Sequence, residues 1–109
     1  MSIQAVNDTT FASQIRAQGT TLVEFGAVWC PPCKKLLPML DELSEEMGDQ
    51  VHFLKVDCDE SPATASQYQV MSVPTVIVFR DGEAVEKLVG LRPKSVYEQV
   101  VSKHSLSKA

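Results

Sequence analysis

Two cysteines separated by two prolines are the residues of this chain best suited to chemistry. They lie in the segment Trp29-Cys30-Pro31-Pro32-Cys33, between an apolar run and an amphipathic helical pattern. The first N–H groups of a helix have no partner within it, and the helix dipole is positive at that end. Both effects favour a thiolate over a thiol, and the thiolate is the nucleophile of disulfide exchange. The position of the pair therefore predicts redox chemistry.

The composition is typical of a soluble globular protein. The chain has 109 residues, 44% hydrophobic and 22% charged, with a net charge of −4. This length predicts one domain over residues 1–109. The mild charge provides neither a basic stripe for nucleic acid nor a polybasic membrane patch. The sequence shows no secretory signal and no apolar run of transmembrane length, and three cysteines do not indicate a secreted disulfide framework. We expect a cytoplasmic monomer that binds neither nucleic acid nor membranes.

The first third of the chain is predicted to form a strand, a helix and a second strand. Ile3–Val6 is a short candidate strand, and Asn7 or Asp8 can cap a helix that ends at Gly19. Thr20–Val28 is mostly apolar and predicts a buried strand.

The helix that follows Cys30 has the clearest pattern. Pro31 and Pro32 are tolerated in the first turn because N–H groups there have no intrahelical partner. Pro38 is expected to kink the helix and Gly48 to end it. The apolar residues at helical spacing, which include the second cysteine, are Cys33, Leu36, Leu37, Leu40, Leu43 and Met47.

The rest of the chain alternates strands and helices. The predicted elements are a strand over Val51–Asp57, a helix from Ser61-Pro62 through Tyr68, a strand over Pro74–Phe79, and, after an Asp81-Gly82 turn, a strand over Glu83–Val89. Gly90 and Pro93 precede a last helix with Val96, Val100 and Val101 facing inward. The order βαβαβαββα predicts an α/β protein with a mostly parallel sheet covered on both faces and an antiparallel edge from the last hairpin.

From about Ile3 to Val101 the chain resembles the thioredoxin family. The resemblance implies the thioredoxin fold, a central mixed five-stranded sheet flanked by four helices. It also implies that Cys30 is the exposed attacking thiol and Cys33 the shielded resolving thiol, and the helical spacing agrees. The motifs that carry it are Val23-Glu24-Phe25, Trp29-Cys30-Pro31-Pro32-Cys33-Lys34, Pro38, Lys55-Val56-Asp57, Val73-Pro74-Thr75, Asp81-Gly82 and Gly90.

The chain departs from the family pattern at two positions near the cysteines. Pro31 stands where the family usually has glycine, which removes one N–H and puts the redox potential in question. Gly26 stands where the family often has a large aromatic residue, and its absence is expected to make the base of the site more flexible.

Glu24 matches the family's buried acid, which is normally aspartate. Burial would raise its pKa and allow proton exchange with Cys33. Glutamate is one methylene longer, so its carboxylate needs a different placement. Lys55, on the neighbouring strand, is expected to stabilise the ionised form. The alternatives are an edge-strand Glu24 with its carboxylate in solvent and an exposed strand lysine.

The resemblance also implies a substrate-binding surface around the cysteines. Val73-Pro74 matches a cis-proline loop whose backbone can pair with an extended substrate segment. We favour an exposed docking role for Trp29 over burial in the core. Pro31, Pro32 and Gly90 are expected to complete this surface.

The implied activity is dithiol–disulfide exchange that reduces protein disulfides. The implied electron donor is a separate flavin-dependent thioredoxin reductase that uses NADPH. The chain has no glycine-rich dinucleotide motif, so no bound cofactor is expected, and the expected partners are this reductase and disulfide-containing protein substrates.

Three alternatives stay open at this point. Cys30, Cys33, Cys58 and a histidine could form a zinc site, although a second ligand pair is missing. The same fold could serve as a redox-switched interaction protein. A disulfide oxidase or isomerase is the third, since Pro31 and Gly26 alter the site. Cys58 is expected to be passive, and we assign no role to His52 or His104.

Overall fold

A five-stranded mixed sheet with helices on both faces forms the protein. The computed structural model describes residues 3–105; residues 1–2 and 106–109 of the predicted domain lie outside that range. Its strands are β1 (Gln4–Val6), β2 (Thr20–Gly26), β3 (Val51–Asp57), β4 (Thr75–Arg80) and β5 (Glu83–Val89). Its helices are α1 (Phe11–Gln14), α2 (Pro31–Met47), α3 (Pro62–Gln67) and α4 (Lys94–Ser105), with a 3₁₀ turn over Gly48–Gln50.

The strand order is β1-β3-β2-β4-β5, with β2 at the centre. The β1–β3 and β2–β3 pairs are parallel, whereas both β2–β4 and β4–β5 are antiparallel. The predicted βαβαβαββα order and the mixed sheet are confirmed. The expectation of a mostly parallel sheet is wrong, because β4 already runs against β2. The antiparallel part therefore begins one strand before the last hairpin.

The two faces of β2 bury different sets of side chains, because successive residues of a strand point to opposite sides. Leu22 faces α2 and α4, where it packs with Leu36, Leu40 and Tyr97. Val23 and Phe25 face the other side, in a cluster with Phe11 and Tyr68. Glu24 and Gly26 follow the parity of Leu22 and therefore lie on the α2 face.

The predicted first helix is wrong in length. The Asn7 side chain accepts hydrogen bonds from the N–H groups of Thr9 (2.9 Å) and Thr10 (3.1 Å), so a turn occupies these residues. The helix begins only at Phe11 and ends at Gln14, and the backbone of the next residue, Ile15, is extended. Gly19 therefore does not end it.

Asp8 caps a helix distant in sequence. Its carboxylate accepts hydrogen bonds from the Thr64 N–H (2.8 Å), the Thr64 hydroxyl (2.7 Å) and the Ala63 N–H (3.3 Å). These contacts lower the pKa of Asp8, with the Thr64 hydroxyl as the largest cause. The predicted cap residue Ser61 makes no side-chain capping bond. Asp8, 56 positions before Thr64, accepts the N–H groups of the first turn of α3 instead.

The ends of the other elements follow the predictions closely. β3 has the predicted bounds, α2 continues through Pro38, and Gly48 is its C-terminal cap. β2 ends at Gly26, two residues before the predicted end, and Val28 is exposed. In α4 the residues buried most deeply are Tyr97 and Val101, so Tyr97 was missed, while Val96 and Val100 are half-buried. No helix within residues 3–105 is long and apolar enough to cross a membrane.

Candidate active site

Cys30 and Cys33 form a disulfide at the start of α2. Cys30 is the N-cap, with an extended backbone, and its Sγ accepts a hydrogen bond from the Cys33 N–H at 3.2 Å. Pro31 and Pro32 occupy the first two helical positions and have no N–H to offer. Of the first three residues of α2, Cys33 is therefore the one whose backbone N–H can donate to the Cys30 sulfur. The predicted cap position of Cys30 is confirmed.

The predicted exposure of Cys30 is wrong for this disulfide form. Both cysteines are 2% exposed, and they form a small cluster with Ala27 against which Val73 packs. The disulfide draws the Cys30 sulfur toward Cys33 and the loop that carries Val73 covers it. The shielding predicted for Cys33 is confirmed.

Trp29 lies beside the disulfide and is 64% exposed. Its indole N–H donates a hydrogen bond to the Asp59 carboxylate at 2.7 Å, which orients the ring. Asp59 was not singled out from the sequence, since nothing in its local pattern places it near Trp29. Val28, Pro31 and Pro32 are also exposed, so an apolar surface surrounds the buried disulfide. The predicted exposure of Trp29 is confirmed.

The loop that faces the cysteines carries Val73 and Pro74, joined by a cis peptide bond as predicted. Val73 is half-buried against the disulfide, and the Pro74 carbonyl accepts a hydrogen bond from the Gly90 N–H at 2.8 Å. The Tyr97 hydroxyl donates to the Gly90 carbonyl (3.3 Å) and accepts from the Arg92 N–H (3.0 Å). The buried Tyr97 thus holds the Gly90 loop in place.

Glu24 is 2% exposed in the central strand, so the alternative of a solvent-exposed edge residue is wrong. Burial is the main cause that raises its pKa from 4.5 to about 7. The positive charge of Lys55 opposes this rise, and the negative charge of Asp57 adds to it. Lys55 is only half-buried, so it combines the predicted electrostatic role with contact with solvent.

A cavity of about 410 Å³ extends from Glu24 to the surface. Gly26, Cys33 and Lys55 contribute to its wall, and the exposed residues Lys34 and Glu60 lie at its rim. It is located at the carboxyl ends of β2 and β3, beneath the first turn of α2. The buried acid and the inner cysteine therefore share one cavity that reaches solvent.

The remaining cysteine and the histidines do not line this cavity. Cys58 is half-buried, and burial is the main cause that raises its thiol pKa to about 11. His104 pairs with Glu86, and burial lowers the pKa of His52. Within residues 3–105 no three His, Cys, Asp or Glu side chains are grouped as metal ligands. The zinc alternative would need Cys30 and Cys33 as free thiolates, whereas here they are bonded to each other.

Comparison with known proteins gives consistent matches over almost the whole chain. The family profile described as Thioredoxin matches residues 2–103. A thioredoxin of Staphylococcus epidermidis is 48% identical over 104 residues, 95% of this chain and 99% of the relative. A thioredoxin of Bacillus subtilis is 44% identical over the same shares. The solved structure of a thioredoxin variant from Halobacterium salinarum aligns with a TM-score of 0.90 and 31% identity, covering 99% of this chain and 95% of that one.

Proposed function

The chain belongs to the thioredoxin family, and we propose which step of disulfide exchange each of its active-site residues performs. It is a thiol–disulfide oxidoreductase that reduces protein disulfides with a Cys-x-x-Cys pair. The placement of the two cysteines supports these roles. Cys30 caps α2, and Cys33 lies one turn inside it beside the cavity that contains Glu24.

Cys30 makes the first attack. In the disulfide form the Cys30 sulfur accepts the Cys33 N–H at the positive end of α2. After reduction the same N–H and the helix dipole would stabilise the Cys30 thiolate. It attacks one sulfur of a substrate disulfide, which breaks the substrate S–S bond. A mixed disulfide with Cys30 forms, and the other substrate sulfur leaves as a thiolate that takes up a proton.

Cys33 completes the reaction with Glu24 as its proton acceptor. The Glu24 carboxylate takes the Cys33 proton, directly or through water in the cavity, and the Cys33 thiolate attacks the Cys30 sulfur. The Cys30–substrate bond breaks, the Cys30–Cys33 disulfide forms, and the second substrate sulfur leaves as a thiolate. A base with a pKa of about 7 is matched to proton transfer near neutral pH. Lys55 tunes this base by stabilising its ionised form.

The surface around the disulfide binds the substrate. Trp29, Pro31 and Pro32 present an exposed apolar patch, and Val73, Pro74 and Gly90 form the opposite wall. An extended substrate segment that pairs with the backbone at Val73 would place its disulfide over Cys30.

The physiological setting follows from this chemistry. Each turnover leaves the protein oxidised, so a separate thioredoxin reductase, with NADPH as electron source, has to restore the thiols. The redox-active disulfide is the only redox group that the proposal requires, and no bound cofactor takes part. We place the protein in the cytoplasm, as one monomeric domain over residues 1–109.

Insulin reduction by the purified protein, with dithiothreitol and then with a bacterial thioredoxin reductase and NADPH, tests this proposal. We expect wild-type turnover, mixed disulfides trapped by Cys33→Ser, and no reaction from Cys30→Ser. Trp29→Ala should raise KM more than it lowers kcat, whereas Val85→Ala, a matched exposed apolar residue on β5, should change neither. Near-wild-type turnover by Cys30→Ser would overturn the proposed mechanism.

A further inference from the structure

Gly26 lies two residues after Glu24 in β2, so the two residues share the α2 face of the central strand. Glycine is not needed here for its backbone freedom. The glycines with positive φ are Gly19, Gly48, Gly82 and Gly90, and Gly26 has a conformation open to other residues. Glycine within a strand weakens it and marks a site where another group approaches closely.

The group that approaches Gly26 is the Glu24 carboxyl. A Cβ placed on Gly26 would overlap a carboxylate oxygen of Glu24 and lie 3.1 Å from its carboxyl carbon. The same point is 3.2 Å from the Cys33 Sγ. The volume that a side chain at position 26 would fill is therefore taken by the Glu24 carboxyl, with the Cys33 sulfur on its border.

We propose that Gly26 is a positioning residue, whose missing side chain provides the space in which the Glu24 carboxyl lies next to Cys33. The inference rests on the proposed role of Glu24 as proton acceptor. It also accounts for the longer acid: glutamate reaches this space with its additional methylene, and the glycine leaves the space open. Glu24 and Gly26 form a matched pair in which each residue type requires the other.

Other charged groups surround this space and are held constant in the test. Lys55 and Asp57 of β3 act electrostatically on Glu24, and Lys34 of α2 and Glu60 line the same cavity. Cys58, which follows β3, and Tyr97 of α4 also interact electrostatically with Glu24. None of them is altered by a methyl group at position 26. A change in the pH profile of Gly26→Ala therefore reports on the placement of the Glu24 carboxyl.

The experiment is a double-mutant cycle on the resolution step. Each protein is loaded at Cys30 with a chromogenic thiol, and the rate at which Cys33 expels it is followed from pH 5 to 9. The variants are Gly26→Ala, Glu24→Asp, Glu24→Gln, and the two double variants that combine Gly26→Ala with Glu24→Asp or with Glu24→Gln. Thermal unfolding is recorded for each protein, and NMR titration of the carboxyl at position 24 for each protein that has Glu or Asp there.

We expect Gly26→Ala to slow resolution at least about tenfold and to shift the pH midpoint, since a positioned general base contributes about 10²–10⁴-fold. In the Glu24→Asp background the shorter acid leaves the space free, so Gly26→Ala should add no further loss. In the Glu24→Gln background it should leave the pH profile unchanged. If Gly26→Ala alone does not fold, a folded double variant that matches Glu24→Asp in rate supports the same pairing.

If Gly26→Ala slows resolution equally in the wild-type and Glu24→Asp backgrounds, the added methyl group clashes with Cys33 and not with the Glu24 carboxyl. That result would overturn the inference. An unfolded double variant would do the same. These failures differ from a failure of the proposed function, because wild-type insulin reduction and mixed-disulfide trapping by Cys33→Ser are measured separately. If Glu24→Gln resolves at the wild-type rate, Glu24 is not the base, whereas the carboxyl titration still shows whether Gly26 positions it.

Discussion

Glu24 lies directly opposite Lys55 in the parallel pairing of β2 and β3. A buried acid and a half-buried base thus share one face of the sheet, at the end of the strands where the cysteines lie. Burial raises the pKa of Glu24 to about 7 and Lys55 restrains that rise, so the pair sets the protonation state of the acid near neutral pH.

Replacing Lys55 with methionine should raise the pKa of Glu24 above about 7, because the opposing positive charge is lost while burial remains. The turnover profile should move to higher pH with it. NMR titration of the Glu24 carboxyl measures the change. Lys35→Met, which removes an exposed lysine of α2, is the control and should leave the titration unchanged. An unaltered Glu24 titration in Lys55→Met would contradict the electrostatic role.

Glu24→Gln should remove a pH dependence of stability. The pKa of Glu24 is higher in the folded protein, about 7, than its ordinary value of 4.5, so the folded state holds the proton more tightly. Wild-type stability should therefore fall as the pH rises from about 4.5 to 7, by roughly 3 kcal/mol at about 1.36 kcal/mol per pKa unit.

The variant should lack this slope, so its stability relative to the wild type should rise across the same range. Urea unfolding at pH 4.5, 6 and 8 tests this, with Glu45→Gln on the exposed side of α2 as the control. Parallel stability curves for wild type and Glu24→Gln would show that Glu24 ionises without a burial cost.

In the reduced protein, Cys30 should be alkylated faster than Cys33 and Cys58. Its sulfur lies at the start of α2 and accepts the Cys33 N–H in the disulfide form, and the same surroundings should favour the thiolate after reduction. Cys58 should react slowly because burial is the main cause that raises its pKa to about 11. Mass spectrometry after brief iodoacetamide treatment at neutral pH gives the order. Preferential labelling of Cys33 would reverse the roles assigned to the pair.

Pro31→Gly should leave the protein folded and active with a modest change in reduction potential. Pro31 is the first residue of α2 and is exposed, so its replacement removes rigidity without removing a hydrogen bond. Replacing proline with glycine changes the backbone entropy of the flexible chain by about 0.4–1 kcal/mol, so its effect on the reduction potential is at most roughly 10–20 mV. Equilibration with glutathione measures the potential. A much larger shift would mean that the Pro-Pro dipeptide also changes the hydrogen bonding of the Cys30 thiolate.

Local pattern was enough to predict most elements of the fold. Local backbone geometry decides which face of a strand or helix a residue occupies. The alternation of apolar and polar residues over Val51–Asp57 and the helical spacing of apolar residues in α2 could therefore be read from the sequence. The cap position of Cys30 follows from the same reasoning. The motif order supplied the family resemblance and, with it, the pair of cysteines and the buried acid.

Only the tertiary structure decided how distant segments meet. Asp8 was one of two candidate caps, with Asn7, for the helix beside it, but chain packing brings it to Thr64 and Ala63 of α3, where N–H groups of the first turn are available. Cys30 is buried because the loop bearing Val73 packs against it. The sequence of β2 by itself determined that Glu24 and Gly26 share a face. It did not determine that the carboxyl occupies the empty glycine position beside Cys33, since α2 provides that sulfur and the packing of α2 on the sheet sets the distance.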